Sequence, residues 1–274
     1  MVIDGKKIAS VILENLKKQG PPKGFLAAFL VGDAPDSVSF LKQKERVAKE
    51  LGVDFRLYRF PEKTTQDELR KEILEVAGHK TCGGAIVQLP LPAHINAQYV
   101  LNAIPREKDA DVLGERALGA FYAGRNPVLP PAVGVVEEIL KVTGYKLQVS
   151  RAAVIGRGAL VGKPVAAWLT NKVSELNVYA SRTENLRSKL KDADIIISGV
   201  GKAGLFGAED LKDGALIIDF GYDVKDGRFR GDFNGPEPIN QSTKKPINYT
   251  PTPGGTGPIL VAKLFENFFK LVKL

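Results

Sequence analysis

The sequence of 274 residues predicts an α/β protein built as two lobes. Apolar runs of strand length alternate with amphipathic segments of helix length in both halves of the chain, which is typical of parallel sheets covered by helices. A composition of 44% hydrophobic and 26% charged residues leaves enough apolar material for a core in each lobe. A third observation is the apolar run 152–155, which leads directly into a glycine-rich turn.

Hydrophobic periodicity, caps and breaking residues place the elements along the chain. A capping box opens a helix at Thr65, and either Asp36 or Ser37 can cap the helix before it. One face of the first helix carries the apolar residues Ile8, Val11, Ile12 and Leu16. The helices are predicted over 5–18, 36–51, from 65 onward, 95–104, 134–142 and 258–272, and the strands over 25–31, 54–60, 84–88, 152–155, 176–179, 194–198 and 215–219.

The segment GRGALVGKP, residues 156–164, predicts a site for a dinucleotide pyrophosphate. A buried strand precedes it and a helix follows it, so backbone N–H groups and the helix N-terminus can hold an anion there. Its spacing, G-x-G-x-x-x-G, is one residue longer than the common fingerprint. The lobe that carries it is therefore predicted to be a Rossmann-type dinucleotide-binding domain. A glycine turn without a ligand is the alternative.

The end of the next strand favours NADP over NAD as the cofactor. About 20 residues after the glycine loop, NAD-binding proteins place an Asp or Glu against the ribose 2′-hydroxyl. Here Ser181 and Arg182 occupy this position, and Arg157 adds a positive charge inside the loop. A guanidinium holds a 2′-phosphate, whereas a carboxylate repels it. Two solvated surface arginines are the alternative explanation.

The composition excludes several classes of function. Cys82, His79 and His94 are the whole supply of cysteine and histidine, so no metal cluster is predicted. The net charge of +8 is scattered along helices without a nucleic-acid motif, and a small anionic ligand suffices to explain it. Because no apolar run reaches membrane-spanning length and no secretory signal is visible, we expect a cytoplasmic protein without nucleic-acid or membrane partners.

Four further segments carry residue types that packing alone does not require. Phe40 and Lys44 lie four residues apart on one helix face. The strand that ends at Gln88 runs into QLPLP, where two prolines forbid its continuation. The turn KDAD at 108–111 is charged, and PGGTGP at 253–258 allows a ligand to approach the backbone closely. Each segment also has an ordinary explanation, as a solvated helix, a loop cap or a turn.

Together with the glycine loop, these segments resemble those of the bifunctional methylenetetrahydrofolate dehydrogenase/cyclohydrolase (FolD) family. The segment VGDAPDSVSF at 31–40, continued to Lys44, matches VGxxPxSxxYxxxK, and VQLPLPAH at 87–94 matches VQLPLPxH. KDAD matches the start of a KDVDG-like turn. Residues 156–164, 180–183 and 253–258 match GRSxxVGxP, HSxT and PGGxGP. The resemblance covers nearly the whole chain.

This resemblance implies a folate-binding catalytic domain over 1–133, completed by a C-terminal helix at 254–274, and a Rossmann NADP-binding domain over 134–253. A cleft between the two lobes is expected to hold the substrates. The implied activity is oxidation of 5,10-methylenetetrahydrofolate with NADP, followed by hydrolysis of the methenyl product to 10-formyltetrahydrofolate. One-carbon metabolism, purine biosynthesis and a homodimeric assembly are implied in the same way.

The resemblance also implies the roles of the site residues. Lys44 acts as the general acid/base of the hydrolysis, Gln88 positions it, and Asp111 holds the pterin ring; these three are the catalytic set. The substrate-binding set is Phe40, Lys44, Gln88, Leu89, Asp111, Pro253, Gly254 and Gly255. The cofactor-binding set is Gly156, Arg157, Gly158, Val161, Gly162, Ser181, Arg182, Val200, Gly201 and Thr256.

The sequence departs from the family pattern at several positions. Phe40 replaces the usual tyrosine, Val112 replaces a glycine, Gly158 a serine and Ala180 a histidine, while LPP at 129–131 replaces Pro-Cys-Thr. The phenylalanine leaves open a monofunctional dehydrogenase with a weakened cyclohydrolase, although the retained Lys44 and Gln88 argue against it. A non-catalytic nucleotide-binding module is a third interpretation.

Replacing Phe40 with tyrosine tests the first departure. The added hydroxyl can hydrogen-bond the amine of Lys44, which changes the fraction of neutral amine at a given pH. We expect Phe40→Tyr to keep the dehydrogenase activity and to shift the pH–rate profile of the cyclohydrolase. Both activities are measured across pH for the wild type and the variant, and superimposable profiles would contradict the hypothesis.

Overall fold

A computed structural model describes residues 1–225, 227–235 and 247–274. The chain divides into two compact units, one of Ser10–Pro131 with Val261–Leu274 and one of Met1–Ala9 with Ala132–Leu260. We call them the three-stranded unit and the five-stranded unit, after their main sheets. Both sheets are parallel and both units combine helices with strands, which confirms the predicted α/β fold class. The sequence also predicts a tight turn at Asp226-Gly227 and a loop over 234–253; Asp226 and residues 236–246 lie outside the described residues.

The three-stranded unit surrounds one central strand. Up to Pro131 the chain forms α1 Gly5–Lys17, β1 Phe25–Val31, α2 Pro35–Leu51, β2 Asp54–Phe60, α3 Gln66–Gly78, β3 Cys82–Val87, α4 Ala97–Leu101, a 3₁₀ helix Arg106–Lys108 and α5 Glu115–Tyr122. The sheet order is β2-β1-β3, with both outer strands parallel to β1. All seven residues of β1 are buried, so this strand needs the uninterrupted apolar sequence FLAAFLV.

The start of α2 differs from its prediction. The helix begins at Pro35, not at Asp36 or Ser37, and Ala34 precedes it without a side-chain cap. Proline suits the first helical position because its fixed φ is already helical and its missing N–H has no intrahelical partner there. The capping box predicted at Thr65 is confirmed.

Two further predictions in this unit are corrected by the structure. The helix predicted over 95–104 is only Ala97–Leu101, since the side chain of Asn96 caps its start and a turn follows Asn102. Val11 is 54% exposed, although the periodicity placed it on the buried face of α1. The buried stripe of α1 runs through Ile8 and its partners at four-residue spacing, and Val11 lies to the side of that stripe.

The five-stranded unit contains a doubly wound parallel sheet. Its elements are α6 Pro131–Thr143, a 3₁₀ helix Leu147–Val149, β4 Arg151–Ile155, α7 Gly162–Leu169, β5 Glu175–Tyr179, α8 Leu186–Lys189, β6 Ile195–Ser198, β7 Phe206–Gly207, a 3₁₀ helix Ala208–Asp210, β8 Leu216–Asp219, β9 Asp223–Lys225, β10 Arg228–Arg230, β11 Phe233–Asn234 and β12 Asn248–Tyr249. The sheet order is β12-β8-β6-β4-β5, all parallel. The chain leaves β4 for β5 on one side and returns to β6 on the other, so the strand order reverses at the carboxyl end of β4, where ligands bind in such sheets.

The last helix, α9, spans Thr256–Leu271 and enters the three-stranded unit at Val261. Glycines of β3 make room for it. A Cβ on Gly84 would stand 2.8 Å from Cδ2 of Phe268, and one on Gly83 would stand 2.6 Å from Cγ2 of Val272. Larger residues at these two positions would therefore push the helix away from the sheet.

Shorter elements complete the five-stranded unit. Strands β9 and β10 form an antiparallel pair, and β7 pairs with β11 in parallel. Within the described residues, no helix has both the length and the apolar character that crossing a bilayer requires.

Candidate active site

Lys44 and Gln88 form a direct hydrogen bond in the three-stranded unit. Lys44 lies in the third turn of α2, and Gln88 directly follows β3. The Nζ of Lys44 donates to Oε1 of Gln88 over 3.1 Å, while Nε2 of the same amide donates to the carbonyl of Leu89 over 2.8 Å. The backbone N–H of Gln88 also donates to Phe29 of β1 over 2.9 Å. Gln88 is buried, so its amide is held at both ends and presents its oxygen to the lysine.

Burial shifts the pKa values of two titratable groups at this site, and in both cases the shift favours the neutral form. Desolvation lowers the pKa of Lys44, and the carboxylate of Asp111 partly opposes that shift. Desolvation raises the pKa of Asp111, and the positive charge of Lys44 partly opposes it. A lysine with a lowered pKa can serve as a base near neutral pH. The charges of Lys44 and Asp111 therefore interact, each opposing the shift of the other's pKa.

The other predicted folate residues of this unit lie beside the pair. Phe40 is one helical turn before Lys44 on α2, and its side chain is 37% exposed. Leu89 is half-buried and packs against the hydrophobic core that includes residues of β1 and β3. The exposed ring of Phe40 can stack on a flat ligand, whereas the side chain of Leu89 contributes mainly to packing.

The turn that carries Asp111 is held by Asp109 and Asn267, two buried residues. The carboxylate of Asp109 accepts hydrogen bonds from the N–H groups of Leu113 over 2.9 Å and Gly114 over 2.8 Å. The side chain of Asn267, on α9, donates to the carbonyl of Ala110 over 2.9 Å. The backbone on either side of Asp111 is thus fixed by side chains. The resemblance assigns a role to neither residue, and the one signal for Asn267 is an amide within an apolar helix.

Val112, next to Asp111, adopts a left-handed backbone conformation. Its φ is 55° and its side chain is fully buried. This region costs a non-glycine residue about 1–2 kcal/mol, and β-branched residues rarely occupy it. Val112 stands where the family pattern has glycine, and the turn nevertheless keeps the left-handed conformation that glycine favours. Burial of the valine side chain offsets the strain.

In the five-stranded unit, the glycine turn after β4 follows the predicted strand-turn-helix arrangement. Gly156 has a φ of 102°, and a Cβ on Gly162 would lie 2.1 Å from the carbonyl oxygen of Gly156. The side chain of Val161 packs against Gly199: a Cβ on Gly199 would lie 2.9 Å from Cγ1 of Val161. These glycines are needed because backbone segments meet closely here. Gly158 is different, since the space around it is open and a side chain would fit.

The same turn presents a row of unpaired backbone donors. Within the described part of the chain, the N–H groups of residues 157–162 have no intramolecular acceptor. They precede and open α7, whose N-terminus adds a partial positive charge. This donor set fits the pyrophosphate of a dinucleotide.

The residues predicted to bind the 2′-phosphate lie near the end of β5. Ser181 and Arg182 follow this strand after Ala180 and are exposed. Nη2 of Arg157 donates to the carbonyl of Val178 over 3.4 Å, which holds the guanidinium along β5. No carboxylate occupies positions 180–183, so a 2′-phosphate would meet positive charge there.

Val200 and Gly201 follow β6, the strand next to β4. Val200 is 45% exposed, and Gly201 has a φ of 73°. The N–H of Val200 donates to Asp232 over 2.8 Å. The loop therefore displays an apolar side chain at the carboxyl edge of the sheet while its backbone is held from beneath.

The PGGTGP turn is shaped by close backbone packing inside the five-stranded unit. A Cβ on Gly255 would lie 2.5 Å from the carbonyl oxygen of Pro251, and Gly254 has a φ of 99°. Pro253 is exposed. Thr256 is buried, and its hydroxyl donates to the carbonyl of Asp219 over 2.9 Å. Packing thus accounts for Gly255 and Thr256, and the exposed Pro253 is free to meet a ligand.

Comparison with known proteins identifies the family. The family model for the catalytic domain of tetrahydrofolate dehydrogenase/cyclohydrolase matches residues 3–111, and the model for its NAD(P)-binding domain matches residues 130–274. The chain belongs to the tetrahydrofolate dehydrogenase/cyclohydrolase family. The FolD resemblance inferred from the motifs is thereby confirmed.

Individual family members are similar over nearly their whole length. The bifunctional protein FolD of Bacillus licheniformis is 36% identical over 280 residues, covering 99% of this chain and 97% of its own. The crystal structure of the FolD dehydrogenase/cyclohydrolase from Campylobacter jejuni is 31% identical with a TM-score of 0.91, covering 100% of this chain and 98% of its own. The Trypanosoma brucei enzyme, solved with NADP cofactor and an inhibitor, is 30% identical with a TM-score of 0.91, covering 100% and 97%.

The left-handed conformation of Val112 predicts an unusual order of stability among variants at this position. Val112→Ala loses the valine methyl groups and keeps the strain, whereas Val112→Gly also relieves the strain. We expect the glycine variant to be more stable than the alanine variant by about 0.5–1 kcal/mol, measured by urea unfolding. At Val100, which is equally buried in α4, glycine should be the less stable variant. The same order at both positions would refute strain at Val112.

Titration of Asp109 predicts that stability falls as pH rises. Burial raises the pKa of Asp109 to about 7, whereas the same carboxyl has a pKa of about 3.9 in an unfolded chain. The folded state keeps the proton longer, so the stabilisation is complete below the lower pKa and is lost as pH rises through the higher one. We expect urea unfolding to give a smaller free energy at about pH 8 than at about pH 5.

Asp109→Asn should reduce this pH dependence, because the amide oxygen can still accept both N–H groups and does not titrate. Part of the dependence should persist, since burial also raises the pKa of Asp219 to about 7. Glu72→Gln, on the exposed face of α3, is the matched control and should leave the slope unchanged. A slope in Asp109→Asn equal to that of the wild type would contradict the assignment.

Proposed function

We propose that this protein is an NADP-dependent methylenetetrahydrofolate dehydrogenase and a methenyltetrahydrofolate cyclohydrolase in one chain. It oxidises 5,10-methylenetetrahydrofolate to 5,10-methenyltetrahydrofolate and hydrolyses that product to 10-formyltetrahydrofolate, as part of one-carbon metabolism. The observation that carries the proposal is the 3.1 Å contact between Lys44 and Gln88, made by a lysine whose pKa is lowered. Relatives similar over the whole chain bear the bifunctional name, which supports both halves of the activity.

The dehydrogenase half depends on orientation more than on acid or base chemistry. When bound, NADP supplies the nicotinamide ring that accepts a hydride from the methylene carbon of the folate. The unpaired N–H groups of residues 157–162 bind its pyrophosphate, and Arg157, Ser181 and Arg182 bind its 2′-phosphate. The remaining proposed cofactor residues shape the loops around it: Gly156, Gly158, Val161, Gly162, Val200, Gly201 and Thr256.

The cyclohydrolase half requires a base, and Lys44 is suited to this role. Its neutral Nζ takes a proton from water while the water oxygen adds to the methenyl carbon. The bond from that carbon to N5 then breaks, N5 is protonated, and one proton per turnover passes to solvent. Gln88 holds the amine in place through Oε1. The cationic substrate further disfavours a proton on Lys44.

The remaining folate residues hold the substrate in place. Asp111 accepts hydrogen bonds from the pterin ring, and its turn is fixed by Asp109 and Asn267. The exposed ring of Phe40 stacks on the substrate. Leu89, Pro253, Gly254 and Gly255 complete the proposed substrate-binding set.

The bifunctional activity is preferred over a monofunctional dehydrogenase. Phe40 is the one feature that suggested a lost cyclohydrolase, and the hydrogen bond between Lys44 and Gln88 forms without a tyrosine hydroxyl. We also retain, as proposals, the domain bounds 1–133 with 254–274 and 134–253, a homodimer, a cytoplasmic location and a supply of formyl groups to purine biosynthesis. Family resemblance supports these four points.

Replacing Lys44 with methionine separates the two activities. Methionine keeps an unbranched side chain of similar length and removes the base. We expect Lys44→Met to lower the cyclohydrolase rate by about 10²-fold or more while NADP-dependent oxidation stays within about tenfold of the wild type. The cyclohydrolase is followed by the loss of methenyltetrahydrofolate absorbance without NADP. Lys42→Met, an exposed lysine on the same helix, is the control, and equal cyclohydrolase rates in the two variants would refute the role of Lys44.

A further inference from the structure

Among the described residues of the five-stranded unit, Asp219 and Asp232 are the most deeply buried carboxylates, and the proposed chemistry uses neither. Asp219 ends β8, and Asp232 directly precedes β11. Asp232 is fully buried and Asp219 is 2% exposed. A charged side chain is seldom buried without donors to satisfy it, so the partners of these two carboxylates indicate what they hold.

Asp232 binds the loop that follows β6. Its Oδ2 accepts hydrogen bonds from the hydroxyl of Ser198 over 2.5 Å and from the N–H of Val200 over 2.8 Å. Its Oδ1 accepts from the N–H of Lys202 over 2.7 Å. Two of the three donors are therefore backbone N–H groups on either side of Gly201. The third is the hydroxyl of Ser198, the last residue of β6.

Asp219 holds the segment that carries Asp232. Its Oδ2 accepts from the N–H of Phe233 over 2.9 Å, and its Oδ1 accepts from the N–H of Gly221 over 2.7 Å. Phe233 directly follows Asp232 in the chain, so this hydrogen bond from Phe233 to Asp219 also restrains the backbone of Asp232. The two carboxylates thus form a chain of contacts from β8 to the loop after β6.

Glycines next to each carboxylate make this arrangement possible. A Cβ on Gly221 would lie 2.3 Å from Cγ of Asp232, and a Cβ on Gly231 would lie 2.1 Å from Oδ2 of Asp219. The backbone is therefore built closely around both carboxylates, independently of any charge that they carry.

We infer that Asp232 is a positioning residue for NADP, which it orients by fixing the backbone of Val200, Gly201 and Lys202. This inference rests on the proposed function, in which Val200 and Gly201 line the cofactor. The exposed side chain of Val200 and the left-handed Gly201 are held in one conformation by donors on both sides. Hydride transfer is sensitive to small displacements of the reacting groups, so a loosened loop lowers the rate.

The test replaces Asp232 with asparagine. In either orientation of the amide, its NH₂ group faces a backbone donor of the loop, so at least one of the two N–H groups loses its acceptor. We expect the KM for NADP to rise about tenfold or more, because a bond from a buried charged acceptor is lost. Hydrogen exchange at the amides of Val200 and Lys202, followed by NMR, should quicken. The cyclohydrolase rate without NADP should stay within about twofold of the wild type, since Lys44 and Gln88 belong to the other unit.

Asp210→Asn is the matched control. Asp210 is a buried carboxylate of the same unit, and it accepts from the N–H of Gly207 over 2.9 Å. This variant should lower stability without changing the KM for NADP or exchange at the loop. An unchanged NADP KM and unchanged exchange at Val200 and Lys202 in Asp232→Asn would overturn the inference.

If Asp232→Asn does not fold, Ser198→Ala tests the role of Asp232 instead. It removes one donor to the carboxylate and leaves both loop amides in place, so we expect a rise of about threefold in the Kd for NADP. A wild-type Kd for NADP in a folded Ser198→Ala protein would then overturn the inference. Failure of the wild type to oxidise methylenetetrahydrofolate would refute the proposed function instead, because amide exchange and NADP binding are measured without catalysis.

Discussion

Buried carboxylates that accept backbone N–H groups are the interaction on which both sites depend. In the three-stranded unit, Asp109 binds two N–H groups of the turn that carries Asp111. In the five-stranded unit, Asp232 binds two N–H groups of the loop around Gly201. A carboxylate has only acceptor sites, and its bonds are stronger than those of neutral side chains. Each one therefore fixes a segment that helices and strands leave without hydrogen-bond partners.

The desolvation that makes these interiors costly also favours the neutral lysine that the proposed chemistry requires. Burial shifts the pKa of Lys44 downward and those of Asp109 and Asp111 upward, so ionised groups are disfavoured throughout the site. A lysine in water would stay protonated at neutral pH and could not act as a base. The left-handed Val112 adds backbone strain beside these groups. Backbone strain and perturbed protonation therefore occur together at the proposed site, as is common at functional sites.

Local features of the fold were predictable from the chain, because they depend on neighbouring residues. The buried strands, the capping box at Thr65 and the glycine turn that begins at Gly156 each follow from a few adjacent side chains and their φ preferences. Errors occurred where several local signals competed. At the start of α2, Pro35 prevailed over two capping residues that follow it directly. The resemblance of the motifs also predicted the family, and the match to the tetrahydrofolate dehydrogenase/cyclohydrolase models confirms that prediction.

The sequence by itself determined the long strands, most of the long helices, the glycine turn after β4 and the supply of chemical groups. Only the tertiary structure decided which groups meet. Lys44 and Gln88 are 44 positions apart, and Asn267 reaches Ala110 across 157 positions. Such contacts arise when parallel strands and the last helix pack together, and no local propensity encodes them. Asp232 stayed without a predicted role for that reason, since its environment consists entirely of residues brought to it by folding.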